Sequence, residues 1–152
     1  MCSSDLGDKA AVDRAVEIAK TKGAKRAMLL PVSAPFHCQL MQPAADAMAK
    51  ALAEVTIKAP ASPLVSNVLA APITDPDEIR RRLVEQVTGT VRWRDSVAYM
   101  AAQGVTAFYE VGTGKVLSGL VKRIADGAVG VAIGSPEDIA TYQAGRHAGQ
   151  RI

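Results

Sequence analysis

The stretch from Val105 to Ile133 constrains the fold more than any other part of the chain. Val105–Val111 is an apolar run rich in β-branched and aromatic residues, Gly112-Thr113-Gly114 is a turn, Lys115–Ala125 has helical spacing, and Val129–Ile133 is a second short β-run. Strands alternating with helices of this length point to the α/β class with a mostly parallel sheet. The flanking segments fit that alternation. A helix opens at Asp8, carries Val12, Ala15, Val16 and Ala19 on one face, and stops at Gly23; Arg26–Val32 then reads as a short β-run. Met41–Val55 reads as a helix that tolerates Pro43 in its first turn, and Leu64–Val68 as a strand. Asp75 is a good cap for a third helix, Pro76 suits its first position, and the apolar stripe Ile79, Leu83, Val84 and Val87 ends near Gly89. Arg92–Gln103 forms a fourth helix stopped by Gly104, and Ser135-Pro136-Glu137-Asp138 opens a short terminal one. No internal repeat interrupts this order.

Composition narrows the class of function. The chain has 152 residues, close to half of them apolar, which suits a folded domain with a real core. Cys2 and Cys38 make no disulfide framework, and with only His37 and His147 beside them no metal-ligand quartet forms. A reducing cytoplasm is the simplest setting. No apolar run reaches the length of a membrane span, and no charged-then-apolar signal leads the chain. The formal charge of +3 is mildly basic. Nucleic acid is a poor partner for it, because the basic residues are scattered and only six aromatic residues exist to stack bases. An acidic protein or a phosphorylated small molecule is a better match, beside the plain alternative of a solvated basic surface.

One segment carries chemistry. Leu30-Pro31-Val32-Ser33-Ala34-Pro35-Phe36-His37-Cys38 runs an apolar stretch through two prolines and delivers an imidazole just ahead of the Met41 helix. Prolines stiffen the corner, and a histidine on a stiff corner at a strand end is suited to moving protons. A surface or core histidine with no chemistry is the competing reading. Cys38 adjoins His37, but neighbouring residues rarely present both side chains to one point, so a small buried cysteine is expected rather than a Cys–His dyad.

Ser33-Ala34-Pro35-Phe36-His37-Cys38 with the helical run after it resembles the histidine segment of the malonyl-CoA:acyl carrier protein transacylases. The resemblance continues in order through Val65-Ser66-Asn67-Val68, Val91-Arg92-Trp93, the run Ser96–Val105 and the run Tyr109–Leu117, and Gly7-Asp8-Lys9-Ala10-Ala11-Val12 is similar as well. It covers about residues 7 to 140. The family's Gly-His-Ser-x-Gly nucleophile turn is absent: every serine lacks the flanking glycine pair that such a strained strand-to-helix bend requires. The resemblance therefore implies the C-terminal half of such an enzyme. Residues 1–6 are expected to be a non-native leader. Residues 7–34 are expected to be the remnant of a ferredoxin-like small subdomain, residues 35–144 the C-terminal part of an α/β-hydrolase-like acyltransferase core, and residues 145–152 a flexible tail.

The same resemblance implies roles. His37 would be the catalytic base, and the backbone carbonyl of Gln86 would orient it, as an aspartate does in a serine triad. Asn67, at a strand end, is a candidate for lining the site, with an Asx turn as its alternative. The implied substrates are malonyl-CoA and phosphopantetheinylated acyl carrier protein, in fatty-acid biosynthesis, with no metal or redox cofactor. The implied intact enzyme is a cytoplasmic monomer, and the chain by itself is expected to be inactive. Two other readings stay open: a polyketide-synthase-type acyltransferase segment, and a non-catalytic carrier-protein-binding module.

Two further motifs bear on the site. Gly112-Thr113-Gly114-Lys115 is no phosphate loop, since that motif needs a glycine at 109 and a Ser or Thr at 116, where the chain has Tyr109 and Val116. It is either a tight turn for close helix–sheet packing or a helix N-terminus that holds an anionic group. Trp93 is expected to begin a helix and pack on the core, with adenine stacking as the alternative.

Overall fold

The computed structural model describes residues 7–29 and 31–147, and the chain divides into two compact units, 1–92 and 93–152. The leader expected at 1–6 and the end of the expected tail, 148–152, lie outside the described residues, as do Cys2 and Leu30.

The first unit is mainly helical. Helix α1 (Lys9–Thr21) buries none of its residues, although its apolar positions fall on one face. Gly23, at φ +85°, closes it in the left-handed conformation that glycine adopts without strain. A 3-10 turn (Gln39–Met41) leads into helix α2 (Gln42–Ala53), where Pro43 occupies the first turn. Strands β1 (Leu64–Val65) and β2 (Pro72–Ile73) form a two-residue antiparallel ladder, Leu64 opposite Ile73 and Val65 opposite Pro72. Helix α3 (Pro76–Glu85) starts as its sequence dictates: Asp75 Oδ1 accepts the Glu78 N–H at 2.8 Å, and Pro76 supplies a first residue that needs no donor. Ala45 of α2 and Ile79 of α3 are buried, and the Arg80 guanidinium donates to the carbonyl of Val55 at 3.0 Å, which ties the end of α2 to α3.

Two expected strands differ here, and for one reason. Arg26–Val32 contains no strand among its described residues, and the Leu64 strand is two residues long rather than five. A strand exists only where a neighbour takes its backbone hydrogen bonds. Leu64–Val65 finds its neighbour in the hairpin with Pro72–Ile73, a strand too short to register as an alternating pattern. For 26–32 no partner strand is present among the described residues.

The second unit holds the expected α/β pattern. Helix α4 (Trp93–Ala102) is followed by β3 (Ala107–Val111), α5 (Val116–Ile124), β4 (Val129–Ile133) and α6 (Pro136–His147). β3 and β4 pair in parallel with Ala107 opposite Val129 and Val111 opposite Ile133. Val97, Val121, Ala125 and Ala128 form the core, with Trp93, Met100, Ala101, Phe108 and Ile124 packed against it. Trp93 thus opens α4 and faces the core. Gly130 is indispensable to this packing: a Cβ there would lie 2.2 Å from the Ser118 carbonyl oxygen of α5. α6 begins with a reciprocal cap, Ser135 Oγ accepting the Asp138 N–H while Asp138 Oδ2 accepts the N–H groups of Gly134 and Ser135. It runs on to His147, into the segment expected as a tail from residue 145.

Candidate active site

His37 stands on a strained corner. Its φ is +60°, a conformation that non-glycine residues seldom adopt and that clusters at functional sites. Local bonds hold the corner: the Phe36 N–H donates to the Ala34 carbonyl at 2.9 Å, the Cys38 thiol to the Pro35 carbonyl at 3.1 Å, and the Met41 N–H to the Cys38 carbonyl at 3.0 Å. Cys38 is half-buried, and its sulfur serves the turn. The imidazole itself is exposed.

The Nδ1 of His37 lies 2.7 Å from the carbonyl oxygen of Gln86. A carbonyl can only accept, so this bond requires the proton on Nδ1 and leaves Nε2 of the neutral ring bare, ready to take a proton. The carbonyl is free for chemical reasons. Gln86 is the C-terminal cap of α3, and the last carbonyls of a helix have no intrahelical partner.

Asn67 comes to the same place. Its Nδ2 donates to Gln86 Oε1 at 2.9 Å, so the side chain reaches across to the α3 terminus rather than making only a local turn. The backbone brings the two together. The 66–71 loop of the hairpin is closed by Ala70 N–H to the Ser66 carbonyl at 2.8 Å and Ser66 N–H to the Ala71 carbonyl at 3.0 Å, with Ala70 at φ +54°. Arg92 clamps it: its N–H donates to the Asn67 carbonyl at 2.8 Å and its guanidinium to the Leu69 carbonyl at 3.1 Å. Gly89 lets the loop approach, because a Cβ there would lie 2.8 Å from Val68 Cγ1 and 3.0 Å from the Glu85 carbonyl oxygen. The Asn67–Gln86 contact and the Arg92 clamp carry no local sequence signature, since the fold alone brings these residues together.

The Gly112–Gly114 turn is settled by Glu110. Its carboxylate accepts the N–H groups of Leu117 at 3.2 Å and Ser118 at 2.8 Å, so the start of α5 is occupied by an anion of its own chain. This corrects the anion-holding alternative. The loop itself turns on Gly112 and Gly114, at φ +136° and +108°, and a Cβ at either would meet nothing within 4 Å, so the glycines serve the turn rather than close helix–sheet packing. The Ser118 N–H, foremost among these donors, holds the Glu110 carboxyl below the usual carboxylate range.

No group of three or more His, Cys, Asp and Glu side chains placed to hold a metal ion occurs among the described residues. Nor does any helix among them have the length and apolarity to cross a membrane.

An α/β chain that sets His37 Nδ1 against a backbone carbonyl has a candidate histidine base of the kind hydrolases and acyltransferases use. Comparison with known proteins gives the family. No family model matches the chain. It is, however, 52% identical over 134 residues to the malonyl CoA-acyl carrier protein transacylase of Escherichia coli K12, an alignment that covers 88% of this chain and 43% of that protein. Among solved structures, the acyl-carrier-protein-S-malonyltransferase of Bartonella henselae superposes with a TM-score of 0.85 at 50% identity, covering 94% of this chain and 45% of the other. A malonyl-transacylase solved in complex with its type II PKS acyl-carrier protein gives 0.82 at 41% identity, covering 89% and 44%. The chain belongs to the malonyl-CoA:acyl carrier protein transacylase family and corresponds to its C-terminal part. It spans less than half the length of these relatives.

Proposed function

We propose that this chain supplies the histidine half of a transacylase that moves a malonyl group from coenzyme A to the phosphopantetheine thiol of acyl carrier protein. The observation that carries the reading is the 2.7 Å contact between His37 Nδ1 and the Gln86 carbonyl. With the Nδ1 proton so engaged, Nε2 is the general base. It would take the proton from a serine hydroxyl, contributed by sequence this chain lacks, as the oxygen attacks the malonyl thioester. The carbon–sulfur bond breaks, and the departing coenzyme A thiolate receives the proton back from Nε2. In the second half-reaction Nε2 takes the proton of the phosphopantetheine thiol, whose sulfur displaces the serine oxygen, and the proton returns to that oxygen. Every step is a proton or acyl transfer that these groups balance among themselves, so the reading calls for no metal or redox cofactor. A cytoplasmic setting and a monomeric intact enzyme belong to the same reading.

A polyketide-type partner is the second reading, favoured by the solved relative bound to a type II PKS carrier protein. The chemistry is the same and only the carrier differs. Two samples test the proposal: the chain alone, and the chain joined behind the part of the E. coli relative that precedes the aligned region. Incubated with malonyl-CoA, the chain alone should gain no mass, while the joined protein should become acylated and pass the group to carrier protein. Acylation of the chain alone, or an inert joined protein that folds, would overturn it.

A further inference from the structure

We infer that Asn67 is a positioning residue for His37, acting through the side chain of Gln86. The inference rests on the reading of His37 as the base and adds to it how the orienting carbonyl is itself held. Gln86 has two functional ends. Its carbonyl receives His37 Nδ1 at 2.7 Å, and its side-chain Oε1 receives Asn67 Nδ2 at 2.9 Å. Because Gln86 sits at the C-terminal cap, where the helical ladder runs out, its peptide plane lacks the next intrahelical bond that would hold its carbonyl in place. Such terminal carbonyls fray unless something outside the helix fixes them.

The tether is anchored at its far end. Asn67 lies in a loop whose own carbonyls at 67 and 69 are both taken by Arg92, and whose neighbour Val68 presses against Gly89, three residues past Gln86. The line therefore runs from Arg92 to the 67–69 backbone, from Asn67 to the Gln86 side chain, and from the Gln86 carbonyl to the imidazole. Its effect is to fix which ring nitrogen carries the proton. With the carbonyl steady, the neutral ring stays in the Nδ1–H form and Nε2 stays bare; with the carbonyl loose, the ring is free to place its proton on Nε2, where it blocks base catalysis.

The chain has only two histidines, so the imidazole nitrogen signals of the 152-residue protein, labelled with ¹⁵N-histidine, can be read directly. A His37→Gln variant assigns them. The parent protein at a pH where the ring is neutral should show His37 protonated on Nδ1. Asn67→Ala and Gln86→Ala should each shift the population toward the Nε2–H form, and the double variant should shift it no further than either single change, as expected for one shared contact. Gln86→Glu keeps both a side-chain acceptor for Asn67 and the backbone carbonyl, and should restore the parent signal. If Asn67→Ala loses its dispersed spectrum, the Gln86→Ala and Gln86→Glu pair makes the same comparison from the other end of the bond. An unchanged tautomer in both alanine variants would overturn the positioning role and leave the His37–Gln86 reading standing. A parent protein with the proton on Nε2 would overturn both.

Discussion

At the scale of single residues, the proposed site would rely on a backbone atom, the Gln86 carbonyl 2.7 Å from His37 Nδ1, where a triad uses a carboxylate. That choice makes the role of Gln86 hard to remove by substitution, since every residue has a carbonyl. In the joined enzyme, Gln86→Ala should therefore lower turnover only modestly, by loosening the carbonyl. Gly89→Ala should also act on the site, because the added methyl group would lie 2.8 Å from Val68 Cγ1 and 3.0 Å from the Glu85 carbonyl oxygen; the imidazole tautomer should move as it does in Asn67→Ala. His37 was legible in the sequence because prolines and a reactive side chain coincide on one corner. Gln86 was reached only through the family resemblance, because nothing in a helix-end glutamine announces that its carbonyl will be used. The contact between Asn67 and Gln86 joins residues far apart in the chain, and no local pattern encodes such a meeting.

At the scale of elements, the anchors are carboxylates at helix starts. Glu110 accepts from the first turn of α5, and Asp138 accepts from Gly134 and Ser135 at the start of α6. Both are held below the ordinary carboxylate range: Glu110 foremost by the Ser118 N–H, Asp138 foremost by the Gly134 N–H. A depressed pKa in the folded state means these groups stabilise the fold fully above their unfolded values. That stabilisation is lost as the pH falls through the folded ones. Glu110→Gln should accordingly flatten the acid side of a stability-versus-pH curve below about pH 4.5, measured by denaturant unfolding. Ser135→Ala, which removes the cap on the Asp138 N–H, should cost about 1 kcal/mol at neutral pH. The helix boundaries were largely readable because caps and breakers act locally. β2 was not, and β1 was read from its true start but three residues too long, because two-residue strands are delimited only by their pairing.

At the scale of the molecule, the chain leaves much apolar surface bare. Val111 is 80% exposed and Val116 70% exposed, and Leu64, Phe36 and Val129 are also open to solvent. Among the described residues the parallel sheet has two strands and so two unpaired edges, and parallel sheets are ordinarily covered on both faces. The isolated chain should therefore bind a hydrophobic dye and self-associate as its concentration rises, measured by fluorescence and light scattering. A compact monomer with no dye signal would refute this. The core of the second unit is small, so its two fully buried valines matter: Val97→Ala should cost about 2 kcal/mol.

The proposed function turns on Nε2 of His37, freed by the Gln86 carbonyl, performing the proton transfers of malonyl exchange. The most direct measurement is the rate of malonyl transfer to carrier protein by the joined enzyme, compared between the parent, His37→Ala and Gln86→Ala. Removing a positioned general base lowers turnover by about 100-fold or more, so His37→Ala should show at least that loss while Gln86→Ala retains most of the rate. A His37→Ala enzyme that folds and transfers malonyl at the parent rate would rule out His37 as the base.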